Sequence, residues 1–289
     1  MTQAMDADAD VIVVGAGSAG ATLAARLAGN HSTRVLLIEL GADRKSPWMH
    51  VPIGVAKLLV GRHRSVHHYP TVSQSGLTDR AVLWPRGETV GGSGRINGMV
   101  WVRGDPAEFD AWEHAGNTGW GSGTFARLFR EIEKTDTGDD GIRGRQGPIR
   151  VTEYTPQDPL SHAFLHACES VGIARTDDYN GSSYLGAGML QHNTAHGRRH
   201  DPATALLDAA RRLPNLRILA SRRVSHVVFE GRNAVGVALA GMPEQVLRAP
   251  CVVLAAGAIG TPVLLQRSGI GDAPRLQALG IQPVHHLPG

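Results

Sequence analysis

The feature that most constrains this chain is a glycine-rich turn that joins a short apolar strand to a helix near the N-terminus. Residues 10–14 are mostly apolar and β-branched, which is typical of a strand buried on both faces of a parallel sheet. The sequence GAGSAG follows at residues 15–20, and residues 21–28 have the leucine spacing of a helix. A second apolar run at residues 34–38 ends in Glu39. This order of strand, turn, helix, strand and acid predicts the start of a Rossmann-like nucleotide-binding fold.

Each residue type in this unit has a physical role in holding a dinucleotide. Gly15 permits the tight turn, Gly17 lets a pyrophosphate approach the backbone, and Gly20 lets the helix pack closely on the strand. The free N–H groups and the positive dipole end of the helix favour phosphate. Glu39 can accept hydrogen bonds from a ribose diol, and its charge would repel a 2′-phosphate, which disfavours NADP. The sequence therefore predicts a dinucleotide site.

The segments that follow bear on the choice between FAD and NAD, since both cofactors carry an ADP half. Residues 41–80 are rich in Pro, His and Gly, and we expect a loop-like segment placed to cover a cofactor. Residues 84–99 form a second glycine-dense loop, which fits either a close approach to phosphate or flavin or an ordinary surface loop. A further buried-strand pattern at residues 251–256 implies a nucleotide-binding sheet interrupted by a large insertion. This layout favours FAD.

Composition restricts the class of protein further. The chain has 289 residues, 42% of them hydrophobic and 19% charged, which indicates a soluble globular protein. The net charge of +3 comes without a basic run, so we expect no nucleic-acid or membrane partner. Cys168 and Cys251 lack metal-site spacing, and adjacent histidines in a strand point to opposite faces, so we expect no metal site. With no secretory signal or membrane-length apolar run in the sequence, we expect a cytoplasmic protein.

These motifs together resemble the glucose–methanol–choline (GMC) oxidoreductase family, and most of all its choline-dehydrogenase-like alcohol dehydrogenases. The resemblance runs over residues 10–289. Residues 11–39 resemble the family's ADP-binding start, residues 85–104 (PRGETVGGSGRINGMVWVRG) its first signature, and residues 257–271 (GAIGTPVLLQRSGIG) its second. The resemblance implies an α/β fold, with an FAD/NAD(P)-binding Rossmann-like parallel sheet and an inserted, incomplete α+β substrate domain.

The resemblance also implies a domain organisation. Residues 1–9 are expected to be a disordered N-terminus, and residues 10–148 and 216–289 a discontinuous FAD-binding domain. Residues 149–215 would begin the substrate-binding domain, and the C-terminal catalytic region would be absent. We interpret Trp112 and Trp120 as core residues rather than substrate contacts.

Individual positions are assigned to FAD by the same resemblance. The pyrophosphate is expected on Gly15, Gly17, Ser18 and Gly20, and the adenosine ribose on Glu39. The remaining expected contacts are Val90, Gly92 and Ser93 on the pyrophosphate and flavin side, Asn97, Gly98, Met99 and Val100 along the isoalloxazine, the backbone of Val224 at the adenine, and Ala256 and Gly257 at the closing edge of the site.

The chain departs from the family pattern at several positions. Glu88 stands where the family usually has Lys or Arg, which weakens the local attraction for phosphate. Gly94 and Arg95 replace the commoner Ser pair. Ile96 occupies the position of the His that carries the flavin in covalent members, and an isoleucine cannot form that bond. We therefore expect noncovalent FAD.

The function implied by the resemblance is oxidation of the CH–OH group of a small alcohol, with hydride transfer to flavin N5. The family's catalytic His and its partner lie beyond the point matching Gly289, so no catalytic residue is assigned here. We expect little turnover from the isolated chain unless a C-terminal polypeptide completes it. The alternative is a non-catalytic flavin-binding remnant, or one half of a split enzyme. Glu88 favours the remnant, whereas the intact unit at residues 15–39 favours the enzyme.

Overall fold

The computed structural model describes residues 7–44, 46–154, 158–241 and 245–288. Its helices are α1 Ser18–Ala28, α2 Pro47–His50, α3 Gly54–Val60, α4 Pro106–His114, α5 Ser122–Ile132, α6 Pro159–Ser170, α7 Asp208–Ala210, α8 Gly257–Arg267 and α9 Ala273–Ala278. Its strands are β1 Val11–Val14, β2 Val35–Ile38, β3 Val66–Pro70, β4 Leu83–Gly87, β5 Glu133–Lys134, β6 Ile149–Arg150, β7 Thr152–Glu153, β8 Gln191–His192, β9 Thr194–Ala195, β10 Arg198–Arg199, β11 Leu216–Leu219, β12 Val224–Glu230, β13 Asn233–Leu239, β14 Gln245–Arg248, β15 Cys251–Leu254, β16 Ile270–Gly271 and β17 His285–His286. Gly92–Arg95 and Ser75–Leu77 are 3-10 turns, and Ala203–Leu207 is a π-helical turn.

The chain divides into two compact units. The first comprises Met1–Met49, Ile53–Ile96 and Pro202–Gly289, and the second comprises His50–Pro52 and Asn97–Asp201. Most of the predicted N-terminal segment 1–9 lies outside the described residues. At its described end, Ala9 is buried and the N–H of Asp8 donates to the carbonyl of Arg248 at 2.9 Å.

A four-stranded parallel sheet organises the first unit. Its order is β11-β2-β1-β15, and every neighbouring pair is parallel. The central strand β1 therefore lies between β2, which follows it through α1, and β15, which arrives from far along the sequence. This is the interrupted sheet predicted from the sequence, and the predicted α/β class with a Rossmann-like parallel sheet is confirmed.

Alternating side chains of the sheet enter two separate cores, because successive residues of a strand face opposite sides. On one face, Val13 and Leu37 pack against the small residues of α1. On the other face, Ile12 and Leu36 pack with residues of the antiparallel sheet β12-β13-β14 and with Leu264 of α8. Burial of each such aliphatic side chain contributes about 1.5–3 kcal/mol. Burial on both faces explains why these strands have unbroken apolar sequences.

Residues 41–80 contain more regular structure than the sequence indicated. They include α2, α3 and the strand β3, which pairs with β4 as an antiparallel hairpin. Met49, Leu58, Val66 and Ile96 form a separate buried cluster beneath this segment. The expectation of a loop-like segment was wrong, because elements of four to seven residues are too short to give a periodic signal among Pro and Gly residues.

In the second unit, α4 and α5 pack through a group of aromatic rings. The rings of Phe109 and Phe125 stack at a centroid distance of 4.1 Å, and Trp112 meets Phe109 edge to face at 5.4 Å. Trp112 and Trp120 are nevertheless 45% and 55% exposed, so their interpretation as core residues was wrong. None of the described helices in either unit is both long and apolar enough to cross a bilayer.

A buried charged network fixes the interior of the second unit. Glu133 is fully buried and accepts hydrogen bonds from Arg103 and Arg143, each at 2.7 Å. Arg143, also fully buried, reaches Asp178 at 2.6 Å and the side-chain oxygen of Gln191 at 3.0 Å. Buried charges are tolerated only when they are paired and hydrogen-bonded in this way.

Candidate functional site

The candidate site lies at the carboxyl ends of three neighbouring strands of the parallel sheet. β1, β2 and β15 end at Val14, Ile38 and Leu254. The residues that follow them include Gly15, Glu39 and Ala255, all of which line one cavity. In open α/β sheets, ligands bind in the crevice at the carboxyl ends of the strands, where the chain leaves a central strand in opposite directions.

The three glycines of the first turn occupy three different environments. Gly15 has a φ of +100°, and a Cβ there would lie 2.4 Å from the carbonyl oxygen of Ala255. A Cβ on Gly20 would lie 1.8 Å from the carbonyl oxygen of Gly15. Around Gly17, by contrast, no atom of another part of the described chain lies within 4 Å of the position of a Cβ. Gly15 and Gly20 are therefore required by the fold, whereas Gly17 leaves open space at the cavity.

Helix α1 presents its N-terminus to this open space. Ser18 is its first residue, and Gly17, its N-cap, has no side chain to cap it. The first N–H groups of a helix have no intrahelical partner, and the helix dipole places partial positive charge there. No acidic residue occupies the first turn of α1. This end of the helix can hold a phosphate group.

Glu39 connects the turn to the second strand of the sheet. Its Oε2 accepts a hydrogen bond from the N–H of Ala16 and its Oε1 one from the N–H of Gly41, both at 2.8 Å. The residue is buried, and burial raises the pKa of its carboxyl group, while the two backbone hydrogen bonds oppose that rise. The charge of Glu88 nearby raises the pKa further. Each carboxylate oxygen still has a lone pair available for a ligand hydroxyl.

The second glycine-rich loop lies directly against the first. The N–H of Gly91 donates to the carbonyl of Ala16 at 2.7 Å, and a Cβ on Gly92 would lie 2.7 Å from the Cα of Gly17. Val90 is 2% exposed. Ser93 is exposed and accepts a hydrogen bond from the N–H of Gly87 at 3.1 Å. The alternative of an ordinary surface loop is therefore wrong, since the two loops meet backbone to backbone.

A second helix N-terminus and the start of β12 complete the cavity wall. Ala256 is the N-cap of α8, and Gly257, with a φ of +81°, is its first residue. Val224 is buried at the start of β12, and all three residues line the cavity. Most of the residues expected at the pyrophosphate, ribose, adenine and closing edge thus line one space, whereas Gly20 and Val90 do not line it.

The cavity has a volume of about 550 Å³ and a net positive lining. Four arginines, Arg86, Arg222, Arg223 and Arg267, face it, against the two carboxylates of Glu39 and Glu88. The volume is in the usual range for small-molecule sites. Open backbone at Gly17, two helix N-termini and an excess of positive charge fit the diphosphate of a dinucleotide.

Sequence reasoning missed several lining residues. His67 and Tyr69 reach the cavity from β3, and Arg222, Arg223 and Arg267 from β11–β12 and α8. His67 lies 3.5 Å from the carboxylate of Glu88. The alternation of His67 and Tyr69 places both on one face of a strand, which was a usable signal. No sequence pattern marked the arginines as cavity residues, because their positions depend on how distant elements pack.

The residues expected along the isoalloxazine belong to the second unit. Arg199, which is buried, donates to the side-chain oxygen of Asn97 at 2.6 Å and to its carbonyl at 2.7 Å. Met99 has a left-handed φ of +62°, and its carbonyl accepts from the N–H of Asn193 at 2.9 Å. Such backbone costs about 1–3 kcal/mol in a residue other than glycine and persists only when neighbours hold it. Gly98 and Val100 of the same turn are exposed.

A separate cavity of about 870 Å³ lies within the second unit. Its wall is mainly apolar, with Met99, Tyr154, Phe164 and Leu190 among the lining residues, and it includes His192. Burial lowers the pKa of His192, so the neutral imidazole is favoured. Among the described residues of both units, no group of three or more His, Cys, Asp or Glu side chains is placed to bind a metal ion.

Comparison with known proteins points, over most of the chain, to the family that the sequence motifs resemble. The profile of the GMC oxidoreductase family matches residues 9–287. An alcohol dehydrogenase [acceptor] of Pseudomonas putida is 39% identical over 284 residues, covering 96% of this chain and 51% of that protein. The mitochondrial choline dehydrogenase of Homo sapiens is 39% identical over 288 residues, covering 96% of this chain and 48% of that protein. The chain thus spans about half the length of the curated relatives it matches.

Two solved structures also superimpose on most of this chain. Pyridoxine 4-oxidase from Mesorbium loti superimposes with a TM-score of 0.92 at 35% identity, covering 97% of this chain and 56% of that one. An FAD-dependent oxidoreductase from Chaetomium thermophilum superimposes with a TM-score of 0.90 at 30% identity, covering 97% of this chain and 51% of that one. With the nucleotide-site geometry and the family profile in agreement, the chain belongs to the GMC oxidoreductase family.

Proposed function

We propose that this chain binds FAD noncovalently and forms the cofactor-binding part of an oxidoreductase that acts on the CH–OH group of an alcohol. The observation that supports it most directly is the open backbone of Gly17 between the N-terminus of α1 and the second glycine-rich loop. Family membership implies the same cofactor. When bound, FAD would accept the hydride removed from the alcohol carbon.

We propose a separate set of contacts for each part of the cofactor. Gly15, Gly17, Ser18 and Gly20 would hold the pyrophosphate, and the carboxylate of Glu39 would accept hydrogen bonds from the adenosine ribose. The other proposed contacts are Val90, Gly92 and Ser93 beside the pyrophosphate and flavin, Asn97, Gly98, Met99 and Val100 at the isoalloxazine, Val224 at the adenine, and Ala256 and Gly257 at the closing edge.

Noncovalent attachment is supported by Ile96. Its side chain is 5% exposed and packs in the cluster with Met49, Leu58 and Val66. A hydrocarbon side chain offers no nucleophile for a bond to the flavin. Denaturation of FAD-loaded protein in acid should therefore release all of the yellow colour into the supernatant. Colour retained in the precipitate would contradict noncovalent binding.

The alcohol and the completing elements are also proposals. Relatives named alcohol dehydrogenase and choline dehydrogenase suggest a small alcohol substrate. Since the chain spans about half the length of these relatives, we propose that a polypeptide matching their remaining length supplies the catalytic base. The domain bounds 10–148, 216–289 and 149–215 and the cytoplasmic location remain predictions.

A direct titration tests the FAD site. Purified chain, freed of flavin, is titrated with FAD while the flavin fluorescence and absorbance are recorded. Saturable binding with a stoichiometry near one and a shifted flavin spectrum is expected. Adding the polypeptide that matches the remaining half, with choline or another small alcohol, should then bleach the flavin absorbance without oxygen. A folded chain that takes up no FAD would refute the proposal.

A further inference from the structure

We propose that Arg223 and Arg267 hold the adenine ring and so make the cavity select a dinucleotide over FMN. The proposal rests on the FAD site described above and adds two side chains that recognise the base. Both residues line the cavity, and both side chains are exposed.

Backbone hydrogen bonds hold the two residues before Arg223 against the segment that carries Glu39, the proposed ribose ligand. The N–H of Arg222 donates to the carbonyl of Glu39 at 2.9 Å, and the N–H of Ser221 donates to the carbonyl of Gly41 at 3.0 Å. Ser221 has a left-handed φ of +57°, which turns the chain at this point. Arg223 follows directly and precedes Val224 at the start of β12. It therefore lies at the adenosine end of the cavity.

Helix α8 places Arg267 at the same end. Gly257, Gly260, Leu264 and Arg267 are spaced three to four residues apart, which puts them on one face of the helix, and all four line the cavity. Arg267 is thus about 15 Å along the helix from Gly257. The Oγ of Ser268 accepts a 2.8 Å hydrogen bond from the N–H of Val227. This bond anchors the end of α8, with Arg267, to β12.

The side chains at the adenosine end of the cavity can bind a planar aromatic base. Val224, Val263 and Leu264 give it an apolar wall. Within the described residues, the guanidinium groups of Arg223 and Arg267 take part in no hydrogen bond or ion pair. A planar guanidinium stacks favourably on an aromatic ring, and it is more weakly hydrated than the ammonium of Lys. FMN has no adenosine half and would leave both groups in water.

The test compares ligands that carry different parts of FAD. Arg223→Gln and Arg267→Gln variants are titrated by calorimetry with FAD, ADP, FMN and inorganic pyrophosphate, and Arg275→Gln is the control. Arg275 is exposed on α9 of the same unit, outside the cavity lining. Each cavity variant should raise the dissociation constants of FAD and ADP about fivefold. The constants of FMN and pyrophosphate, and all constants of the control, should stay unchanged.

A Lys at either position gives a second readout. Arg267→Lys keeps the charge but loses the planar group, so it should recover less than half of the lost ADP affinity. Full recovery, or an equal loss for pyrophosphate and ADP, would show that the arginines act on the phosphates by charge and would overturn the proposal. Unchanged ADP binding in both Gln variants would overturn it as well. If the parent chain binds neither FAD nor ADP, the proposed FAD site itself fails, which is a different result.

Discussion

The carboxylate of Glu39 holds the glycine-rich turn directly, since its Oε2 accepts a 2.8 Å hydrogen bond from the N–H of Ala16. The same side chain binds the N–H of Gly41 through Oε1. A residue expected only to contact a ribose therefore also shapes the loop that would receive the pyrophosphate. Loss of Glu39 should affect the fold as well as the ligand.

Replacement of Glu39 by Gln should destabilise the first unit by about 1–3 kcal/mol, because one buried backbone N–H loses its acceptor.

The difference in stability between the parent and the Glu39→Gln variant should depend on pH. Burial raises the pKa of Glu39 in the folded chain, so the folded state binds the proton more tightly than the unfolded state. This stabilisation is complete below about pH 4.3, the usual pKa of Glu, and is lost as pH rises through the folded pKa.

Urea unfolding of the parent and the Glu39→Gln variant across this pH range measures the effect. The advantage of the parent should be largest in acid and smaller at neutral pH. If the parent's advantage in unfolding free energy grew with rising pH, the raised pKa of Glu39 in the folded chain would be contradicted.

Replacement of Gly17 by Leu should weaken cofactor binding without unfolding the chain. The position of a Cβ there is open, so the new side chain fits but fills the space of the phosphates. The dissociation constant for FAD should rise at least about tenfold, which corresponds to about 1.4 kcal/mol. Gly76→Leu is the control, since a Cβ at Gly76 also has no neighbour within 4 Å in the described part of the chain, and Gly76 lies outside the cavity lining. Fluorescence titration checks both variants, and parent-like FAD affinity in Gly17→Leu would contradict the site.

Replacement of Gly20 by Ala should lower the stability of the fold, unlike the replacement of Gly17, which should affect only cofactor binding. Its Cβ would lie 1.8 Å from the carbonyl oxygen of Gly15, which belongs to the backbone and cannot rotate away. We expect a loss of roughly 3 kcal/mol, the upper range for overpacking. Gly123→Ala lies near the start of α5, where a Cβ has no neighbour within 4 Å from other described segments, and it should instead be neutral or slightly stabilising. Equal melting temperatures for the two variants would refute this reading.

Replacement of Glu133 by Gln should destabilise the second unit by about 3–5 kcal/mol, because it leaves Arg103 without its counter-charge and Arg143 with Asp178 alone. Glu131→Gln, in an exposed pair with Arg127 on α5, should cost no more than about 0.5 kcal/mol. Denaturant unfolding of both variants provides the comparison. Similar losses for the two would show that the buried network contributes little beyond a surface ion pair.

The sequence alone determined three features of the nucleotide-binding unit. The turn at residues 15–20, the acid at Glu39 and the late strand β15 each have a local pattern, because a doubly buried strand and a glycine turn restrict residue types at fixed spacing. Family membership followed from the same motifs.

Only the tertiary structure showed what depends on contacts between distant segments. It revealed that the second glycine loop packs on the first, that residues 41–80 form short elements, and that Trp112 is half exposed. It also brought Arg223 and Arg267 to one cavity. Surface arginines and short elements carry no periodic signal, since their positions are fixed by packing against partners far away in the chain.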